Sequence, residues 1–181
     1  TGTPSIVMGL FGFAFILFLR NTFFPDANTS LLLAAACLAL LILPYLIFTT
    51  QAALESLSDE YRLIGPSLGF SQIQTVFHVL LPAAGRGILS GVVLSIGRAA
   101  EDTAVIMLTG VIANAGLPQG LFGKFEALPF RIFYLAAEYQ TPAELDSAYG
   151  TALVLLCLTG MLYGSALALH KTLELRWNQH G

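Results

Sequence analysis

With 181 residues, the chain is 56% hydrophobic and only 10% charged, and its mean hydropathy is +0.76. It carries more apolar side chain than a soluble domain of this size can bury, so the composition predicts an integral membrane protein. The net charge of −3 is too small to indicate a nucleic-acid or membrane-surface role.

Four apolar stretches approach the roughly 20 residues that a membrane-spanning helix needs. We therefore predict an all-α, polytopic transmembrane helical bundle made of one domain, residues 1–181. Because the first span is short and the chain begins with Thr-Gly-Thr-Pro-Ser, we interpret the chain as N-terminally truncated. The predicted spans are 4–19, 30–50, 86–112 and 148–170.

The segment 51–85, between the second and third spans, has a helical rather than a disordered pattern. Ser71 followed by Gln74 is a capping box, and it opens a short helix with apolar residues at helical spacing. Pro82 is expected to end that helix. The segment is predicted to lie at the cytoplasmic membrane surface, because a slight excess of basic residues favours that side.

An earlier short helix is predicted in the same segment. Ser58 is its candidate N-cap, and Gly65-Pro66 is the expected breaker. On the other side of the membrane, residues 113–147 are rich in Gly and Pro and then in aromatic residues. The run Thr141-Pro142-Ala143-Glu144 there predicts the capped start of the last span.

The third span has one small and polar face. On a helical wheel, Gly91, Ser95 and Ala99 share a sector with Arg98 and Asp102, while bulky residues occupy the opposite side. The charged side chains are therefore expected to point into a protein interior or a water-filled path, away from lipid.

Three ionisable groups in this span leave two interpretations open. A single charge at the centre of a membrane helix costs about 2.5–3.5 kcal/mol, and Arg98 has contact spacing to Glu101 and Asp102. The first interpretation is a purely structural ion pair. The second is that Arg98 meets an anion on a translocation path, with the carboxylates orienting it or accepting a hydrogen bond from a protonated oxyanion.

The stretch "LGFSQIQTVFHVLLPAAGRGILSG" resembles the cytoplasmic signature of ABC-importer permeases, a Glu-Ala-Ala triplet followed by x3-Gly-x9-Ile-x-Leu-Pro. Gly69 takes the glycine position, Val79 replaces the isoleucine, and Leu81-Pro82 closes the motif. Leu63-Ile64-Gly65 stands where the triplet is expected, so the acidic residue of the motif is absent.

Further stretches, "TPSIVMGLFGFAF", "IGRAAEDTAVIMLTG" and "LFGKFEALPFRIFYLAAEY", resemble the phosphate-type permeases, the PstA/PstC group. The usual third-span motif of that group is Gly-Arg-Ala-x-Gly-Glu-Thr-Ala. Asp102 stands for its glutamate, and Glu101 stands where glycine is usual. The resemblance covers nearly the whole chain and corresponds to the last four of the six spans in that fold.

The resemblance implies a pore subunit of an ATP-driven importer in the cytoplasmic membrane, moving an oxyanion, with inorganic phosphate first. It implies as partners a second permease subunit, identical or different, two cytoplasmic ATP-binding subunits and an extracytoplasmic binding protein. The implied substrate-path residues are Arg98, Glu101, Asp102 and Thr103. The implied ATPase-coupling residues are Gly69, Phe70, Ile73, Phe77, Val79, Leu81 and Pro82.

No enzymatic activity, cofactor or metal site is expected in this chain. It has no nucleotide-binding glycine loop, no metal-ligand cluster and no nucleophile–base pair. Three alternatives stay open: a permease for molybdate, tungstate, sulfate or phosphonate, a secondary transporter or channel, and a membrane scaffold without transport. Only the importer permeases account for the motif in the loop.

Overall fold

A computed structural model describes the backbone of residues 4–178 and the side chains of that range except Ala166 and residues 169–178. The predicted all-α class is confirmed: helices follow one another, and the described residues contain no strand beyond one isolated bridge between Val111 and Phe125. The helices are α1 (Ser5–Thr22), α2 (Leu31–Glu55), α3 (Asp59–Ser67), α4 (Gln72–Thr75), a π turn (Val76–Leu80), α5 (Leu81–Glu101), α6 (Ala104–Thr109), α7 (Leu128–Glu138) and α8 (Pro142–Asn178).

Four helical stretches of the described chain are long and apolar enough to cross a membrane, which confirms the predicted number of spans. Each observed stretch overlaps one predicted span but is shifted or extended. The observed stretches are Ser5–Thr22, Leu31–Glu55, Gln72–Glu101 and Pro142–Ser165.

The third span differs most from its prediction. We expected one helix over 86–112, but α5 ends at Glu101, and the backbone leaves the helix at Asp102 and Thr103 before α6. The expected stop at Pro82 is also wrong, because helical backbone runs without interruption from Gln72 to Glu101. A π turn absorbs the proline by bonding the Leu81 N–H to the Val76 carbonyl.

The last span begins as predicted. The hydroxyl of Thr141 accepts a hydrogen bond from the Glu144 N–H at 3.4 Å, and the Glu144 carboxylate accepts one from the Gln140 N–H at 2.8 Å. Proline occupies the first position of α8, where its missing N–H costs nothing. Because four spans separate them by an even number of crossings, Thr1 and Gly181 are both predicted on the cytoplasmic side with the segment 51–85, and both lie outside the described residues.

The chain divides into two compact units, and the division falls within α2, α5 and α8. Unit 1 contains the described residues of 1–42 and 98–161. Its core is built around Ala34, Cys37, Ile106 and Val105, with half-buried Phe125 and Phe130 packed against it. From their positions in the middle of predicted spans, Cys37 and Cys157 are each expected to be small buried residues. Cys37 is buried, but Cys157 is exposed, contrary to that expectation.

Unit 2 contains 43–97 and the described residues from 162 onward. Its α5 segment packs through small residues, as the wheel predicted: Gly91 and Ser95 are buried, and the Ser95 hydroxyl donates to the Gly91 carbonyl at 2.7 Å. A methyl group added at Gly91 would lie 2.8 Å from Cβ of Thr49, which is closer than side chains tolerate. The small face therefore allows α5 and α2 to approach closely within this unit.

Candidate functional site

Asp102 caps the backbone at the break between α5 and α6. Its carboxylate oxygen accepts a hydrogen bond from the Val105 N–H at 2.9 Å, and its own N–H bonds the Ala99 carbonyl at 3.4 Å. Thr103 occupies the cap position, but its side chain makes no capping bond. An aspartate offers a short acceptor that competes with the helical backbone, so it both interrupts the span and satisfies a freed donor.

The short helix α6 is fixed within unit 1 by α1. A methyl group added at Gly9 would lie 2.9 Å from the Ala104 carbonyl oxygen, and one at Gly12 would lie 2.8 Å from the Thr109 side chain. Thr109 is fully buried and donates its hydroxyl proton to the Val105 carbonyl at 2.7 Å. The two glycines of α1 thus let α6 approach the α1 backbone closely.

The three charged residues of the third span do not form the predicted ion pair. Among the described side chains, Arg98 makes no salt bridge with Glu101 or Asp102. Arg98 and Glu101 are exposed in this single chain, whereas Asp102 is half-buried. The spacing from Arg98 to Asp102 required an uninterrupted helix, but the helix ends at Glu101 and the Asp102 carboxylate turns to the Val105 N–H instead. Arg98 and Glu101 both lie within α5, where their side chains are exposed and form no salt bridge with each other.

A cavity of about 180 Å³ lies beside the break in unit 1. Its walls are almost wholly apolar, and Asp102 is the one ionisable residue among those that line it. Arg98, Glu101 and Thr103 do not line it, so the structure does not gather the four predicted substrate-path residues around one cavity. The lining comes from α2, from the end of α5 with α6, and from the segment Phe125–Pro129.

In unit 2, hydrogen bonds fix the backbone conformation of the loop that joins α3 to α4. The Phe70 N–H bonds the Gly65 carbonyl at 2.9 Å and the Gly69 N–H bonds the Pro66 carbonyl at 3.0 Å, which together form a Schellman motif. Gly69 has φ +75°, the left-handed conformation that this motif requires and that favours glycine. The glycine of the sequence signature is therefore the residue that ends α3.

The capping box predicted at the start of α4 is confirmed. The Ser71 hydroxyl accepts from the Gln74 N–H at 3.3 Å, and the Gln74 side chain accepts from the Ser71 N–H at 2.9 Å. The predicted breaker Gly65-Pro66 is wrong, because α3 continues to Ser67. A proline in the last turn removes a single backbone bond, and the Ser67 hydroxyl bonds the Leu63 carbonyl there at 2.7 Å.

The predicted coupling residues divide into two groups by exposure. Ile73 and Phe77 are 71% and 63% exposed, so they are available to a partner. Phe70 is half-buried, with its ring centroid 5.8 Å from that of His78. Val79 and Leu81 are half-buried, whereas Gly69 and Pro82 are exposed and lie at the end of α3 and the start of α5.

Sequence reasoning missed two members of this surface. Leu63 and Leu68 are also strongly exposed, and they belong to α3 and its end. The signal was available, because both are large apolar residues in a short polar segment that no membrane span contains. We call Leu63, Leu68, Ile73 and Phe77 the loop surface.

An all-helical chain with four helices of membrane-spanning length and a hydrogen-bonded loop that exposes apolar side chains is typical of a multi-pass membrane protein. The chain belongs to the family of binding-protein-dependent transport system inner membrane components, whose model matches residues 1–177. The protein is therefore a multi-pass protein of the cytoplasmic membrane.

Relatives of known name support the resemblance to the phosphate-type permeases. The chain is 33% identical over 171 residues to the phosphate transport system permease protein PstA of Mycobacterium leprae, covering 91% of this chain and 53% of that protein. It is 31% identical over 158 residues to PstA of Haemophilus influenzae, covering 86% of this chain and 54% of the relative. It is 34% identical over 115 residues to the PstA homolog of Mycoplasma pneumoniae, covering 63% and 18%.

The chain spans about half the length of the first two of these relatives and less than a fifth of the third. No solved structure matches the chain significantly.

Proposed function

We propose that the chain is part of the transmembrane pore of an ATP-driven importer and that its cargo is an oxyanion, inorganic phosphate first. Support comes from the family, whose members act with a binding protein, and from relatives that are phosphate transport system permease proteins. The proposed partners are a second permease subunit, two cytoplasmic ATP-binding subunits and an extracytoplasmic binding protein.

The observation that carries the proposal is the loop surface. The Schellman motif and the capping box fix the two short helices, yet the four large apolar side chains of the loop surface remain exposed. Exposed apolar side chains on an ordered segment are typical of a protein-docking site. Because Ile73 lies on the helical stretch Gln72–Glu101, a partner that moves this loop also moves a membrane-spanning helix.

The proposed contact for the anion is Arg98. Its guanidinium carries a planar fork of donors that matches an oxyanion, and the described side chains leave that fork without an ion pair. Glu101 and Thr103 are proposed to lie along the same path. A carboxylate at Glu101 can accept a hydrogen bond from a protonated oxyanion, which favours phosphate over sulfate, an anion that carries no proton near neutral pH.

The test begins with co-purification. A tagged full-length protein is isolated from its own cells, and the ATP-binding subunit that accompanies it is quantified for Phe77→Asp and for the control Phe23→Asp. Phe23 is 64% exposed, nearly the same as Phe77, but it lies in the connection between α1 and α2. One span separates that connection from the segment 51–85, so it is predicted on the extracytoplasmic side. We expect Phe77→Asp to lose the ATP-binding subunit and Phe23→Asp to retain it.

The cargo is tested in the same preparations. Proteoliposomes that contain the complex and its binding protein should accumulate labelled phosphate only with ATP inside, and excess sulfate or molybdate should not compete. Competition by sulfate or molybdate would replace phosphate by another oxyanion. Absence of any ATP-binding subunit, with uptake driven by an ion gradient, would replace the importer by a secondary transporter.

A further inference from the structure

The segment between α6 and α7 presents unusually exposed apolar side chains. Leu117 is 91% exposed and Phe122 80%, more than any other large apolar residue in the part of the chain that the structure describes. Leu121 is 61% exposed. We call these three residues the outer tip. Such exposure has a free-energy cost in water, so the outer tip is expected to be covered by a partner.

The backbone of this segment is ordered rather than slack. The Gly123 N–H bonds the Gly120 carbonyl at 3.1 Å, and the Glu126 N–H bonds the Gly116 carbonyl at 3.0 Å. Gly116 and Gly120 have φ of +66° and +109°, conformations that other residues rarely adopt. The outer tip is thus held outward by the fold of the segment.

Two hydrogen bonds fix the height of the outer tip relative to a membrane span. The Leu31 N–H bonds the Gly123 carbonyl at 3.0 Å, and the Leu32 N–H bonds the Leu121 carbonyl at 2.9 Å. Leu31 is the first residue of α2, which is long and apolar enough to cross the membrane. A segment bonded to the first turn of a span lies where the span enters the bilayer.

We propose that the outer tip inserts into the lipid surface, at the boundary between the headgroups and the acyl chains. Phe and Leu are the side chains that enter this boundary, to a depth of about 5–10 Å. Lys124 is exposed two residues after Phe122, and its ammonium can reach the phosphates of the headgroups. The apolar surface continues onto exposed Leu32 in the first turn of α2, which favours lipid over a separate protein.

Insertion of the outer tip into lipid depends on the position of α2 in the membrane and not on the cargo or on the ATP-binding partners. The outer tip would anchor the start of α2 to the bilayer. The carbonyls of the same segment accept hydrogen bonds from N–H groups at the start of α2 that have no partner within the helix, so the outer tip and the start of α2 are expected to move together.

The experiment uses tryptophan fluorescence of the full-length complex in lipid nanodiscs. Trp177 is the one native tryptophan of this chain and is replaced by phenylalanine, and Phe122→Trp supplies the probe. Tryptophans of the partner subunits are subtracted with the matched complex that lacks the probe. Lipids brominated near the headgroup or near the bilayer centre report depth, because bromine quenches only on contact.

We expect the emission maximum of the Phe122→Trp protein to lie at a shorter wavelength than that of a tryptophan in water. Its fluorescence should be quenched more by bromines near the headgroup than by bromines near the bilayer centre. Phe125→Trp is the matched control, three residues away but packed against the core of unit 1. The emission maximum of the Phe125→Trp protein should also lie at a short wavelength, but its fluorescence should be quenched by brominated lipid much less than that of Phe122→Trp.

Two results would overturn the proposal. Red emission that acrylamide quenches freely and brominated lipid does not would place the outer tip in water. Protection from acrylamide that arises only when the extracytoplasmic binding protein is added would assign the surface to that protein. Neither result changes ATP-dependent uptake, so failure here is distinguishable from failure of the proposed function.

Discussion

Substitution of Gly65 by alanine should loosen the loop that carries the loop surface. Gly65 is buried in α3, and an added methyl group would lie 2.7 Å from Cβ of Thr75 in α4, with the other two side-chain atoms of Thr75 nearer still. Ordinary contact begins at 3.4 Å, so α3 and α4 must separate by at least about 0.7 Å, that is 3.4 minus 2.7.

Overpacking of this kind costs about 1–3 kcal/mol. Since about 1.4 kcal/mol is a factor of ten in an equilibrium constant, the open population of the loop should rise about 5- to 150-fold. Trypsin reports that population through Arg62, the one Lys or Arg between residues 21 and 85, because Arg62 lies within α3 and is cleaved when α3 unfolds locally.

The assay measures the initial rate of tryptic cleavage at Arg62 in nanodiscs. Gly85→Ala is the control, because a methyl group there meets open space. Gly65→Ala combined with Thr75→Ala should recover part of the resistance, because it removes the two nearest atoms and leaves Cβ. Cleavage of Gly65→Ala at the wild-type rate, or equal acceleration in Gly85→Ala, would refute the reasoning.

Four further predictions follow from the break and the loop. Asp102→Ala should lower the stability of the purified protein, measured by thermal unfolding, by about 1 kcal/mol, because it removes a helix cap. Asp102→Asn keeps an acceptor for the Val105 N–H and should therefore lose less stability. Equal losses in the two variants would assign the effect to the charge. Arg98→Lys should reduce phosphate uptake at unchanged membrane abundance, Arg98→Ala more so, and normal uptake by Arg98→Ala would remove this residue from the path. Gly69→Val should lower the free energy of unfolding by about 1–2 kcal/mol, because valine is strained at the positive φ of this position. The same variant should reduce the ATP hydrolysis that loaded binding protein stimulates. Normal stimulation would show that the loop does not couple the subunits. Ser71→Cys should react with membrane-impermeant thiol reagents only from the cytoplasmic side and Asn114→Cys only from outside, and labelling of Ser71→Cys in intact cells would reverse the topology.

The spans and the capped helix starts were predictable because their causes are local. A membrane span needs only a sufficient apolar length, and both capping boxes are formed by residues within four positions of each other. The helix starts at Gln72 and Pro142 therefore agree with their sequence signals.

Helix ends and interruptions were predicted less well, since they depend on competition between backbone partners. Neither proline stopped its helix: Pro66 lies in a last turn that the Schellman bonds complete, and Pro82 follows a π turn. The break at Asp102 was hidden because no Gly or Pro marks it and the residues around it, such as Ala100, Glu101 and Ala104, are compatible with a helix. A wheel that assumes one continuous helix then placed Arg98 and Asp102 together, whereas the Asp102 carboxylate bonds the Val105 N–H and forms no salt bridge with Arg98 among the described side chains.

The charges of the third span and the break within it have one physical explanation. In hydrocarbon, a helix must satisfy its own backbone groups, so an interruption at Asp102 and Thr103 leaves donors at the start of α6 that need an acceptor. The carboxylate of Asp102 serves as that acceptor for Val105, and the described side chains show no salt bridge between it and Arg98. A guanidinium that makes no ion pair within its membrane span requires a counter-charge from elsewhere, and a transported anion meets that requirement. If Arg98 contacts the cargo as proposed, exchange of the two residues, Arg98→Asp with Asp102→Arg, should restore assembly at best and not uptake, because it removes both the proposed anion contact and the acceptor for the Val105 N–H.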